Sequence, residues 1–195
     1  MNFPTLILAS ASPRRAELLR QLEIEFQVAP SNAPEVEGPN LSAGEVAQIN
    51  AYRKARTISK KFPDAVTLGV DTVVSLGSRL FGKPTTLAEA QRMLLALQGK
   101  THQVVTGVCL IHLRLHHQKV FFEQTEVTFR ALTAGQIRRY LAQVNPLDKA
   151  GGYGIQEKGD LLVESVSGSF SNVVGLPVER LQSELAALGI LQPAF

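Results

Sequence analysis

A chain of 195 residues with 45% hydrophobic content has enough apolar surface for one domain, or one domain with two lobes, which excludes a disordered chain. Its formal charge of +3 is mildly basic, but Lys and Arg are scattered along the sequence, so no nucleic-acid groove is demanded. Aromatic content of 6% with no Trp also leaves few platforms for stacking single-stranded bases.

In chain order, Leu6-Ile7-Leu8-Ala9 reads as a short buried strand. It runs into Ser10-Ala11-Ser12-Pro13-Arg14-Arg15, where Ser12 suits an N-cap and Pro13 the first helical position. Free backbone N–H groups and two guanidinium groups would then face one anion, with the charge-assisted Arg contacts outweighing the helix dipole. That outlines a phosphate site; the alternative is a solvated pair of surface charges. Ser42 and Glu45 form a capping box for a helix running to about Lys61, where Pro63 ends it. Ser42 is thus better used as a cap than in the glycosylation pattern Asn40-Leu41-Ser42.

Thr67 to Leu76 reads as a central strand followed by a turn at Gly77-Ser78. Thr86 and Glu89 open a helix over Ala88 to Leu97, closed by Gly99. Thr101 to Leu113 and Lys119 to Arg130 are rich in Val, Thr and Phe and read as antiparallel neighbours joined around His116 and His117. Thr133 and Gln136 start another helix, broken at Asn145-Pro146. Gly151, Gly152 and Gly154 mark a sharply folded loop. A strand near Leu161 to Val166 and a helix from about Pro177 to Leu188, ended by Gly189, complete the pattern. The expectation is an α/β fold with a mixed central sheet flanked by helices, because a hairpin sits among crossover units.

Asp71 interrupts an otherwise apolar strand, and burial of a lone carboxylate requires a cation, a metal or hydrogen-bond donors. At a strand end it could bind a divalent metal, orient water, or both; the alternative is an Asp accepting backbone hydrogen bonds. Lys54 shares a helix face with Ala47, Ala51 and Ile58, so it either snorkels outward or faces an anion. Lys83, between Gly82 and Pro84, stands on a constrained loop as a ligand or as solvated charge. Glu35 sits in an acidic connection that reads as a solvated surface loop, or, if that loop folds over a triphosphate, would join Asp71 in holding Mg²⁺. Gln156 offers a neutral amide for a base edge or for an ordinary loop hydrogen bond.

Cys109, the single cysteine, lies in an apolar strand and reads as a buried thiol, compatible with a reducing cytoplasm. There is neither a signal-like N-terminus nor an apolar run of membrane-spanning length, so a soluble cytoplasmic protein without membrane contact is expected. P-loop, dinucleotide-binding, HExxH, zinc-ligand and Gly-x-Ser-x-Gly patterns are missing.

Taken together, Ser10 to Arg15 with Glu17-Leu18-Leu19, Val70-Asp71-Thr72-Val73-Val74, Gly82-Lys83-Pro84, Pro146 to Gln156 and Asn172-Val173-Val174-Gly175-Leu176-Pro177 resemble the Maf family of septum-formation inhibitor-like nucleotide pyrophosphatases. The resemblance spans nearly the whole chain. It implies one elongated, two-lobed Maf/ITPase-like domain over residues 1–195 with a cleft, and hydrolysis of a nucleoside triphosphate to its monophosphate and pyrophosphate. It further implies Asp71 as the proton acceptor for attacking water, with Glu35 and Asp71 holding a divalent cation, Mg²⁺ or Mn²⁺. Arg14, Arg15, Lys54 and Lys83 would balance phosphate charge, while Ser10 and Ser12 shape the pocket.

Thr72 and the run ending at Gln156 look like the dTTP/UTP group of that family, with Arg14, Thr72 and Gln156 choosing the base. Gly152 stands where many of that group have Ala. The resemblance also implies a homodimer, with no stable nucleic-acid partner expected. The competing readings are a 7-methyl-GTP pyrophosphatase of the same family and a non-catalytic cell-division or nucleic-acid-binding regulator.

Overall fold

The first five α-helices in chain order each begin where a side chain caps them. The computed structural model describes residues 5–36, 38 and 40–190. Strand β1 (Leu6–Leu8) leads into helix α1 (Pro13–Arg20), whose N-cap is Ser12 and whose first position is Pro13. After β2 (Phe26–Val28), helix α2 (Ala43–Ser59) starts at a complete Ser42/Glu45 capping box. Strand β3 (Val66–Leu76) turns at Gly77, with φ of 59°, into β4 (Arg79–Phe81). Helix α3 (Leu87–Leu97) is capped by Thr86, and β5 (Thr101–His112) and β6 (His117–Phe129) form the expected antiparallel pair. Helix α4 (Ala134–Leu141) starts at the Thr133/Gln136 box. A glycine-bearing turn at Ala150–Gly152, then β7 (Val163–Ser167), α5 (Phe170–Val174) and α6 (Val178–Ala187), follow. Elements β2, β4 and α5, of three to five residues, escaped the sequence reading; β1 is as short but was legible as an unbroken apolar run.

The strands form one seven-stranded sheet in the order β2-β1-β3-β5-β6-β7, with β4 attached to β3. β1 pairs parallel with β2 and β3, whereas β3, β5, β6 and β7 run antiparallel, so the sheet is mixed. On one edge of β3, β1 covers Val66–Leu68 and β4 covers Val74–Leu76; on the other, β5 pairs from Val66 to Ser75. Gly69 to Val73 therefore lacks a strand on the first edge. Asp71 was expected at a strand end, but it lies in the middle of β3, inside this gap. The gap exists because β1 stops at Leu8 and the chain turns away after Ala9 N–H bonds Leu68 O at 2.8 Å.

Helix α2 lies unusually close to the sheet. A Cβ on Gly69 would stand 2.1 Å from Ala51 O, and one on Gly107 2.2 Å from the Ala47 carbonyl carbon, so only glycine admits the α2 backbone there. Alternation along β3 puts Asp71 on the α2 face and Thr72 on the opposite one. That second face carries two apolar clusters. Leu68, Val70 and Val108 pack with Leu19, Leu181 and Leu185, while Val74, Val104 and Phe129 pack with Leu94, Ile137 and Tyr140. Among the described residues, no helix is long and apolar enough to cross a membrane.

Candidate active site

The close approach of α2 carries Lys54 and Asn50, one turn apart, directly onto Asp71. Lys54 Nζ donates to Asp71 Oδ1 at 2.6 Å, and Asn50 Nδ2 donates to Asp71 Oδ2 at 3.1 Å. The buried carboxylate thus has a cation on one oxygen and an amide on the other, which offsets its desolvation and leaves two acceptor positions for water. Lys54 Nζ also meets Glu35 Oε1 at 2.6 Å, so the ammonium bridges two carboxylates. Burial pushes the Glu35 carboxyl up, but its hydrogen bond and attraction to Lys54, aided by Lys83 and Arg15, hold it below the usual value.

Arg14 and Arg15 point to different partners. Arg15 donates from Nε to Gly175 O, from Nη1 to Ser10 Oγ and Val70 O, and from Nη2 to Thr72 Oγ1. Four of its five N–H groups are therefore spent on neutral acceptors, one of them Val70 O in the β3 gap. Burial lowers the Arg15 pKa, with the Asp71 charge opposing this and Arg14 reinforcing it. Its charge has no carboxylate in contact among the described residues, an arrangement that attracts an anion. Arg14 instead spans the cleft: Nη1 meets Asp148 Oδ2 at 2.7 Å and Nη2 donates to Asp148 O at 3.1 Å. Lys149, 4% exposed, joins Asp148 Oδ1 at 2.8 Å and Glu157 Oε1 at 3.0 Å.

Two cavities of about 700 and 730 Å³, both open to solvent, meet at Ser12, Arg14, Arg15, Lys83 and Asp148. One is charged and adds Ser10, Glu35 and Lys54. The other adds Asp71, Lys149 and Glu157, with Thr72, Val74, Val104, Val173 and Gln156 also on its walls. All ten candidate residues named from the sequence line one cavity or the other. Lys83 and Gln156 are exposed, and Lys83 makes no ion pair among the described residues.

Sequence reasoning missed Asn50, whose signal was its spacing of four from Lys54, and gave no role to Asp148, Lys149 or Glu157. It also missed the chain behind Thr72. Thr72 Oγ1 lies 3.0 Å from Thr106 Oγ1, and Thr106 donates to Asn172 O at 3.2 Å. The Cys109 thiol is buried and its pKa is pushed up to about 12, so it is not a nucleophile at neutral pH.

On the wall of the second cavity, Tyr153 OH lies 2.8 Å from His102 Nε2. Burial lowers the His102 pKa from 6.5 to about 4, against a weaker pull from the Lys100 backbone. The unfolded chain takes up this proton below its pKa of 6.5, whereas the folded chain resists until about 4. Stability from this group is thus complete above the unfolded value and is lost as pH falls through that window. Urea unfolding should show a loss of up to about 3 kcal/mol across it, near 1.4 kcal/mol per pH unit, and His102→Gln should flatten the slope.

The sheet with helices on both faces and a cleft at the β3 gap defines a class. The fold is similar to a solved HAM1 protein from Coxiella burnetii, with a TM-score of 0.53 at 18% identity, covering 94% of this chain and 99% of that one. The sequence profile of the Maf-like proteins matches residues 5–188, and the chain belongs to that family. It is 43% identical to a dTTP/UTP pyrophosphatase of Bacillus cereus over 97% of this chain and 92% of the relative. It is 44% identical to a dTTP/UTP pyrophosphatase of Bacillus mycoides over 92% of this chain and 93% of the relative.

Proposed function

We propose that the chain hydrolyses dTTP and UTP to the nucleoside monophosphate and pyrophosphate. The observation that carries this reading is the Asp71–Lys54–Glu35 cluster, with Asp71 and Lys54 buried, lining two cavities that share Ser12, Arg14, Arg15, Lys83 and Asp148. The names of the 43–44% identical relatives support it. A triphosphate would lie along Ser10, Ser12, Arg15, Lys54 and Lys83, with its base near Thr72 and Gln156. Water held by a free lone pair of Asp71 attacks the α-phosphorus, and Asp71 takes the proton. The bond to the bridging oxygen breaks, and pyrophosphate departs with its charge balanced by the surrounding cations. Arg14 would exchange Asp148 for substrate, which couples triphosphate binding to the Pro146–Gln156 loop.

Glu35 and Asp71, drawn together by Lys54 at 2.6 Å from each, are hard oxygen donors that would hold a divalent cation such as Mg²⁺ or Mn²⁺ through the lone pairs Lys54 leaves free. Among the described residues no group of three or more acidic, His or Cys side chains gathers. Mg²⁺ commonly uses one or two carboxylates and completes its shell with phosphate and water. When bound, such an ion would neutralise phosphate charge. A cytoplasmic, single-domain enzyme, working as a homodimer in clearing normal or modified pyrimidine nucleotides, completes the reading.

The test is product analysis of purified protein with Mg²⁺ and a panel of triphosphates. Pyrophosphate from dTTP and UTP, well above CTP and GTP, is the expected result. Preference for 7-methyl-GTP overturns the base assignment. Orthophosphate as first product overturns the mechanism, and salt-sensitive polynucleotide binding without turnover points to a regulator instead.

A further inference from the structure

We infer that Asn50 is a positioning residue for the reaction proposed above, holding Asp71 and the Glu35 loop in one register through a single buried carboxamide. Asn50 is 3% exposed and uses both ends of its amide. Its Oδ1 accepts Val36 N–H at 2.7 Å, while its Nδ2 donates to Val36 O at 3.3 Å and to Asp71 Oδ2 at 3.1 Å.

The orientation of this amide is dictated by its neighbours. Val36 N–H can only donate, so it selects the Asn50 oxygen, and the nitrogen is left facing two acceptors, Val36 O and the Asp71 carboxylate. No other uncharged side chain of this size offers one acceptor and two donors in a plane. Neighbouring α2 residues complete the clip: Arg53 donates to Pro34 O at 3.2 Å and Lys54 holds Glu35. Three consecutive loop residues, Pro34, Glu35 and Val36, are thereby fixed to one face of α2.

Two consequences follow for catalysis. The donor on Oδ2, with Lys54 on Oδ1, stops the Asp71 carboxylate from rotating, so its remaining lone pairs point in fixed directions for the attacking water. The tether at Val36 also keeps the adjacent Glu35 facing Asp71 across Lys54. Asn50 touches neither water nor substrate in this scheme. Its removal should therefore reduce turnover more than substrate binding.

The inference rests on Asp71 serving as the base, and the experiment separates the two. Asn50→Leu, similar in size but without the amide, should remain folded by thermal melting. It should lose about 10–100-fold in kcat for dTTP with KM changed by less than about twofold. Exchange of the Val36 amide hydrogen should quicken about tenfold. Asn50→Asp keeps an acceptor for Val36 N–H, so exchange there should stay near wild type. It loses the donor to Asp71 and puts a like charge against it, so its kcat should fall at least as far; it also serves as the readout if Asn50→Leu does not fold.

Wild-type kcat in either variant, or a loss confined to KM, overturns the assignment. If the wild-type protein itself releases no pyrophosphate from dTTP, the functional reading fails. Wild-type turnover that Asn50→Leu retains defeats only the role of Asn50.

Discussion

Asp71→Asn should lower kcat for dTTP by about 10²–10⁴-fold, the range lost when a general base is removed. The substitution keeps the size of the side chain, and an amide oxygen can still accept from Lys54 or Asn50, so the fold should persist. What disappears is the basic lone pair. Because substrate contacts reside on other residues, KM should move little, and circular dichroism and thermal melting should match wild type. Steady-state pyrophosphate release measured beside those controls checks it. A folded Asp71→Asn protein with more than about a tenth of wild-type turnover would mean that another group activates the water.

Lys54→Met should damage both stability and chemistry. Lys54 is 10% exposed and Asp71 8% exposed at the side chain, and their contact of 2.6 Å is the only ion pair to Asp71 among the described residues. With the ammonium gone, the buried carboxylate retains Asn50 as a donor but has lost its counter-charge. Breaking a buried pair from one side typically costs about 3–5 kcal/mol. Glu35, at 45% side-chain exposure, can turn to solvent and should add little to that loss. Urea unfolding at neutral pH measures this directly. In the protein that remains folded, kcat should fall by about 10²–10³-fold, since a cation aimed at the reacting phosphate is lost as well. Lys54→Arg keeps the charge but presents a planar fork where a compact ammonium sits between two oxygens, so it should recover stability better than turnover. An unchanged unfolding free energy for Lys54→Met would show that solvent already compensates the carboxylate.

These expectations rest on contacts of unequal legibility. The sites of α1, α2, α3 and α4 were readable because each begins with a cap whose hydrogen bond closes within three residues, at Ser12, Ser42, Thr86 and Thr133. The chemistry was readable where a residue contradicted its surroundings. Asp71 stands in an apolar strand, and Lys54 shares a face with Ala47 and Ala51. Glu35, Lys83 and Gln156 had no such local contradiction, so their residue types left an ordinary surface role open beside the functional one, and the resemblance gave each its role.

The sequence by itself determined the capped helices, the long strands and the mixed sheet. Those features depend on hydrogen bonds within a turn and on the period of apolar residues, both of which are local. Only the tertiary structure decided the gap in β3 beside Asp71, the opposite facing of Asp71 and Thr72, and the partners of each charge. Arg14 meets Asp148 across 134 residues of chain, and Arg15 reaches Gly175 across 160. No local period records such a pairing. It is set when α1, the Asp148 loop and the Gly175 turn come together beside β3, because close packing there fixes which polar groups must satisfy one another.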